Sequence, residues 1–174
     1  MMDVAIVGIG CRLPGKVHGP DQLWDFLLAH GDGIIEVPAD RWSLDRYYDP
    51  DPDMPGRMYT RSGGFLQGSL WDFDPEFFGI SPREASTMDP QQRLLLEVTQ
   101  EAMDDAGVPG RVAGRPVGVY IGAFTVDNMV LRNGLMSRWT VDSQTATAGT
   151  FTMLSNRISF VYDLRGPSMT IDTA

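Results

Sequence analysis

The side chains able to do chemistry are few in this sequence, and they stand apart. Cys11 is the only cysteine. It follows a short apolar run, where a thiol can act as a nucleophile, but no histidine lies near it to take the proton, and a lone thiol of this kind packs as a small hydrophobe. His18 and His30 are the two histidines. Each falls in or near a turn without a second ligand type at metal spacing, so both read as surface or capping residues. Asp49, Asp51 and Asp53 alternate as calcium ligands do, yet Met54 occupies the position that needs glycine and Thr60 the position of the bidentate glutamate. The expectation is a stiff, solvated Asp-Pro loop. Gly8-Ile9-Gly10 opens like a dinucleotide fingerprint, but its third glycine would be Leu13, and Pro14 obstructs a helix starting there. Residue chemistry alone therefore yields no complete catalytic constellation and no metal site.

The elements that would position such groups are clearer. Val4 to Ile9 is a β-branched run closed by Gly10 and Pro14-Gly15, and it predicts a first core strand followed by a turn. Pro20-Asp21 opens a short amphipathic helix carrying Leu23, Trp24, Leu27 and Leu28, with Gly31 as its stop. From Val37 to Phe65, prolines and paired glycines interrupt every period while Trp42, Tyr47, Tyr48 and Tyr59 offer anchors, which predicts a long ordered loop region. Asp89 is an N-cap with Pro90 at the first helical position and Gln92 as reciprocal capping partner, and Leu94, Leu95, Val98, Ala102 and Ala106 follow on one face. A helix over 90–106 results, about 25 Å long. Val117 to Ile121 reads as a second buried strand, Gln144 to Phe160 as one helix, and Ser168 to Asp172 as a strand that Thr173-Ala174 continues. Strands separated by helices make an α/β domain. A last strand with nothing after it implies covering elements beyond residue 174.

Composition narrows the class. The chain has 174 residues, 43% hydrophobic and 21% charged, as in ordinary globular domains. Its 14 basic and 23 acidic residues give a formal charge of -9 without a basic block, which makes nucleic acid a poor partner. Neither a bilayer-length apolar run nor a secretory leader pattern is present, so the expectation is a cytoplasmic protein with no membrane partner.

Longer strings say more than single residues. VAIVGIGCRLPG (4–15), PADRW (38–42), FDPEFFGISPREASTMDPQQRLLLE (73–97) and SNRISFVYDLRGPSMTIDTA (155–174) resemble the N-terminal half of polyketide-type β-ketoacyl synthases, the ketosynthase domains of type I modular polyketide synthases. These strings are long and irregular, and no simple structural pattern demands them. The resemblance covers essentially all of 1–174. It departs from the family at Val98 to Met103, where the usual WEALE wording and its tryptophan are absent, and at Ser143 to Thr152.

The resemblance implies a thiolase-like layered αβαβα fold, of which 1–174 is the first half, as part of one ketosynthase domain and normally a homodimer. In the family, DTA leads directly to a nucleophilic cysteine at a helix N-terminus, so Asp172, Thr173 and Ala174 would bring it into place and no catalytic residue would lie in 1–174. The helix end favours thiolate. Two histidines and a lysine from the later part of the domain would assist, together with backbone N–H groups for the oxyanion. The implied reaction is decarboxylative Claisen condensation of a cysteine-bound acyl group with a malonyl-type extender on acyl carrier protein. No cofactor is expected on the domain itself, because the substrates ride on the carrier's phosphopantetheine. Other polyketide synthase domains would be partners. By similarity Asn128 and Met129 approach the acyl tunnel, Gln144 and Thr145 lie at the dimer interface, and Ala174 adjoins the nucleophile. DPQQR (89–93) serves helix capping and salt bridging. Two alternatives stay open: a loading-type decarboxylating ketosynthase with glutamine in place of the cysteine, and a non-catalytic pseudo-ketosynthase that only docks or dimerises.

Overall fold

The computed structural model describes residues 3–134, 139 and 141–172. The chain divides into two compact units, one formed by 9–69 and the other by 1–8 with 70–174.

In the 9–69 unit, α1 (Pro20–Leu28) starts with proline at its first position, and its end is turned by His30 in the left-handed region at φ 52°. Its spacing predicts an apolar face, yet Trp24, Leu27 and Leu28 are exposed. β1 (Ile34–Glu36) pairs antiparallel with β2 (Ser62–Gly64), and α2 (Leu44–Tyr47) lies between them in the chain, capped by the Ser43 hydroxyl. The long loop expected over 37–65 is thus interrupted by α2 and runs into β2, and the rest of it is ordered by its aromatics. Trp42 meets Phe65 edge to face at 5.6 Å, Tyr48 bridges to Met58, and Arg61 stacks over Tyr48. Asp49 and Asp51 each accept a bond from the backbone N–H two residues on, so the alternating aspartates build turns. Among the described residues no group of His, Cys, Asp or Glu could hold a metal ion.

The other unit carries α3 (Pro82–Thr87), α4 (Pro90–Asp105), β3 (Val119–Gly122), α5 (Asp127–Asn133), α6 (Thr145–Gly149), α7 (Met153–Val161) and β4 (Ser168–Ile171). β3 and β4 are parallel, in register from Val119 opposite Ser168 to Gly122 opposite Ile171. A helical crossover between parallel strands is what the sequence order demands. The core joins Ile80, Ala85, Met88, Leu96, Val119 and Ile158, so α3, α4 and α7 close on one face of the strand pair. Among the described residues no helix is long and apolar enough to cross a membrane.

Three expectations change here. Val4 to Ile9 is not a strand: no described strand pairs with it, and Val4 and Ile6 are 92% and 84% exposed. A β-branched run is a strand only where a neighbour accepts its backbone bonds. The single helix over 144–160 is two helices, because Thr150 turns to an extended conformation (ψ 140°) after Gly149 and ends α6. Gln92 does not complete a capping box. The Asp89 N–H already donates to the Ala148 carbonyl at 2.8 Å, so no donor is left for Gln92 to satisfy.

Candidate functional site

In open parallel sheets, ligands meet the chain beyond the carboxyl ends of the strands. Here β3 ends at Gly122 and β4 at Ile171, with the Ala123 N–H donating to the Ile171 carbonyl at 3.1 Å. The loop after β3 runs into α5, and Asp172 follows β4, so both continuations leave the same edge. The N-terminal turn of α4 joins them: the Gln91 side chain donates to the Thr125 carbonyl at 3.2 Å. Between Gln91, Gln92, Thr125, Gly149 and Leu154 a crevice of about 10 Å³ remains, room for about one water.

This edge is held by a buried polar network. Arg157 of α7 donates from Nε to Gln92 Oε1 at 2.7 Å and from Nη1 to Glu84 Oε1 at 2.6 Å. Gln92 in turn donates to the Thr147 and Ala148 carbonyls, both at 3.1 Å. One guanidinium and one amide thus tie α3, α4, α6 and α7 together. One sign of this network is visible in the sequence: an arginine within the apolar stretch 153–161 must find buried partners. Neither Arg157 nor Glu84 stands out by its own chemistry.

The residues expected near the site fall in three places. Asn128 and Met129 are on the first turn of α5, just beyond β3. Gly149 packs so close to Met129 that a β-carbon there would stand 3.3 Å from Met129 Cβ, which brings α5 and the end of α6 together. Asn128 Nδ2 is buried and makes no hydrogen bond among the described residues. Gln144 and Thr145 sit at the opposite end of α6, organised by Asp142. That carboxylate accepts from the Gln144 N–H at 2.9 Å and from the Thr145 hydroxyl, and it pairs with Arg83 at 3.1 Å. The Gln144 N–H first, and then Arg83, hold the Asp142 carboxyl below the usual carboxylate range. Ala174 and Thr173 lie outside the described residues.

In DPQQR, Asp89 caps α4 by accepting from the Gln91 N–H at 2.8 Å, as expected. Arg93 makes no salt bridge among the described residues; its guanidinium stacks over Trp71 at 4.7 Å. Burial lowers its pKa against the opposing pull of Asp89 and Glu97. A groove of about 410 Å³ along α4 and β3 is lined mainly by apolar side chains, among them Val98, Ala102, Ala106, Val119 and Ile121, with Thr99 and Tyr120 as its polar side chains. Cys11 and both histidines lie in the 9–69 unit. At this edge the described residues form a scaffold, in which helix ends and side chains are tied by hydrogen bonds.

Comparison with known proteins gives that scaffold its context. Residues 1–174 match the family described as Beta-ketoacyl synthase, N-terminal domain. The chain is 46% identical over 172 residues to one of the phenolphthiocerol/phthiocerol polyketide synthase polypeptides of Mycobacterium tuberculosis, covering 98% of this chain and 11% of that protein. It is 47% identical over 175 residues to polyketide synthase GfsA of Streptomyces halstedii, covering 98% of this chain and 2% of that protein. It thus spans a small part of each relative. Among solved structures, an oxazolomycin ketosynthase domain of Streptomyces albus superposes with a TM-score of 0.80 at 34% identity, over 97% of this chain and 28% of that one. The ketosynthase from module 6 of the bacillaene synthase of Bacillus subtilis gives 0.79 at 34% identity, over 97% and 26%. The α/β, thiolase-like fold expected from the sequence is the fold of these neighbours.

Proposed function

The chain belongs to the β-ketoacyl synthase family, matching its N-terminal domain from 1 to 174, and from that premise we propose that it is the N-terminal part of one elongating ketosynthase domain of a modular polyketide synthase. The observation that carries this reading is the family match across the whole chain, joined to β4 ending at Ile171 with Asp172 directly after it.

On this reading a cysteine follows Ala174. Its thiolate attacks an acyl thioester, the carrier's thiol leaves with a proton, and an acyl-enzyme remains. A malonyl-type extender on acyl carrier protein then loses CO₂. The resulting enolate carbon attacks the acyl-enzyme carbonyl, a carbon–carbon bond forms, and the cysteine thiolate is released. The residues of 1–174 hold and shape this chemistry. The Arg157, Gln92 and Glu84 network keeps α4 and α7 fixed beneath the edge. Asn128 and Met129 contribute to the acyl tunnel wall, and the buried amide of Asn128 has a free donor to offer there. Gln144 and Thr145 belong to a homodimer interface. The exposed apolar residues Tyr120, Met169 and Ile171 on the outer face of the strand pair are covered by the remainder of the domain. The whole works in the cytoplasm with the other domains of its synthase and needs no cofactor of its own.

The test is peptide mapping of the polypeptide that contains this chain after treatment with iodoacetamide. An alkylated cysteine directly after Ala174 is expected. A glutamine there would transfer the protein to decarboxylating loading enzymes, and a chain that truly ends at Ala174 would leave only docking or dimerisation.

A further inference from the structure

β4 turns its polar residues inward. Ser168 and Thr170 face α7, while Met169 and Ile171 stay 45% and 43% exposed on the other side. The Thr170 hydroxyl donates to Ser155 Oγ at 3.0 Å and accepts from the Ser155 N–H at 3.2 Å. Ser155 Oγ itself donates to the Thr152 carbonyl at 3.3 Å, and Ser155 is fully buried. Two residues earlier on the strand, the Ser168 hydroxyl accepts from the Ser159 hydroxyl at 3.0 Å and donates to Asn156 Oδ1 at 2.8 Å.

The spacing is what makes these contacts cooperate. Positions 168 and 170 share one strand face about 6.6 Å apart, and 155 and 159 share one helix face about 6 Å apart. The two pairs therefore close together at a single longitudinal setting of β4 against α7. The backbone ladder to β3 sets the register of β4 within the sheet, whereas against α7 apolar packing alone is non-directional and would tolerate sliding of the strand pair. Hydroxyl pairs are satisfied only within a narrow range of distance and angle, and breaking them strands buried donors.

We propose that this hydroxyl ladder, Ser155–Thr170 and Ser159–Ser168–Asn156, is a positioning device that fixes β4 along its own axis and so sets where the residue after Ala174 stands. The inference rests on the reading that this residue is the acyl-accepting cysteine. A slip of one residue would move the strand end by about 3.3 Å and turn its side chains to the other face. Even a displacement near 1 Å costs reaction rate when a nucleophile must meet a carbonyl in line. The ladder touches no reacting atom.

Thr170→Val keeps shape and branching and removes the hydroxyl, while Thr170→Ser keeps the hydroxyl. Both are made in the complete synthase polypeptide, and single-turnover acylation by a short acyl N-acetylcysteamine thioester is followed beside a thermal melt. For Thr170→Val the expected result is a cooperative melt, an acylation rate constant at saturation about tenfold lower or worse, an unchanged half-saturating concentration, and substantial rescue by Thr170→Ser. Acylation at the parent rate, or slowing with no rescue by serine, overturns the positioning role. Where Thr170→Val does not melt cooperatively, Ser168→Ala is read by the same criteria. A parent that is never acylated sinks the functional reading and the positioning role together, which separates that failure from the loss of the ladder alone.

Discussion

Two arginine–glutamate pairs of nearly equal length stand in the two units of this chain. Arg157 reaches Glu84 at 2.6 Å, and Arg61 reaches Glu36 at 2.5 Å. The Arg157 side chain is 7% exposed and directs its other donors to Gln92 and the Thr147 carbonyl. Both members of the second pair are more than half exposed. Distance is the same; dielectric is not. A desolvated guanidinium must keep every partner, because losing one leaves a buried charge without compensation. An exposed pair trades its partner for water at little cost. Rigidity resides accordingly: the polar network in the 70–172 part is obligatory, and the charged pair on the β1–β2 hairpin is an accessory.

The obligatory pair should give the strongest response. Arg157→Ala should lower stability by about 3–5 kcal/mol in urea unfolding of the full polypeptide. Replacing both partners, Arg157→Met with Glu84→Leu, should recover a good part of the loss, because no charge is then left buried alone. A double variant no better than the single one would trace the loss to packing and not to the stranded charge.

Tyr162 probes the same unit at smaller scale. Its hydroxyl donates to the Leu96 carbonyl at 3.3 Å, and burial first, then the Asp104 carboxylate, push its pKa up to about 12. Tyr162→Phe should cost about 1 kcal/mol at neutral pH. The sign at high pH follows from linkage. The unfolded chain releases this proton near pH 10, and the folded chain holds it to about 12. Stability that is full below pH 10 therefore falls as pH rises toward 12, in the parent and not in the phenylalanine variant. The stability gap between the two should narrow over that window in pH-resolved unfolding. A gap independent of pH would mean that the phenol is not desolvated as the structure has it.

The same contrast between local and distant partners explains which features are legible in the sequence. α4 is legible because its signals are local: an Asp-Pro start, leucines on one face and Gly107 after its end. The role of Gln92 is not, because the Asp89 N–H is taken by a carbonyl nearly sixty residues later. β4 is legible as a strand from its alternation, but burial of its hydroxyls against α7 inverts the face that hydropathy would put inside. Val4 to Ile9 has the composition of a core strand and no described strand beside it, since pairing is a property of the neighbour. The candidate site is legible mainly through long strings such as FFGISPREA and MDPQQRLLLE. Its one local sign is Arg157 inside the apolar stretch 153–161, and the partners that arginine finds lie far away in sequence and carry no signature in their own types.

The hairpin pair should respond least. Glu36 lies opposite Ser62 across the β1–β2 pair, and Arg61 reaches it from the adjoining position while stacking over Tyr48. Arg61→Gln should change stability by less than about 1 kcal/mol. Most of that change should vanish in 0.5 M salt, where exposed charges are screened within a few ångströms. Arg61→Met keeps much of the stem that covers Tyr48, so it should separate the packing of the side chain from its charge. If either variant costs as much as Arg157→Ala, burial is not what distinguishes the two pairs, and the hairpin would have to be counted among the elements that hold this fold together.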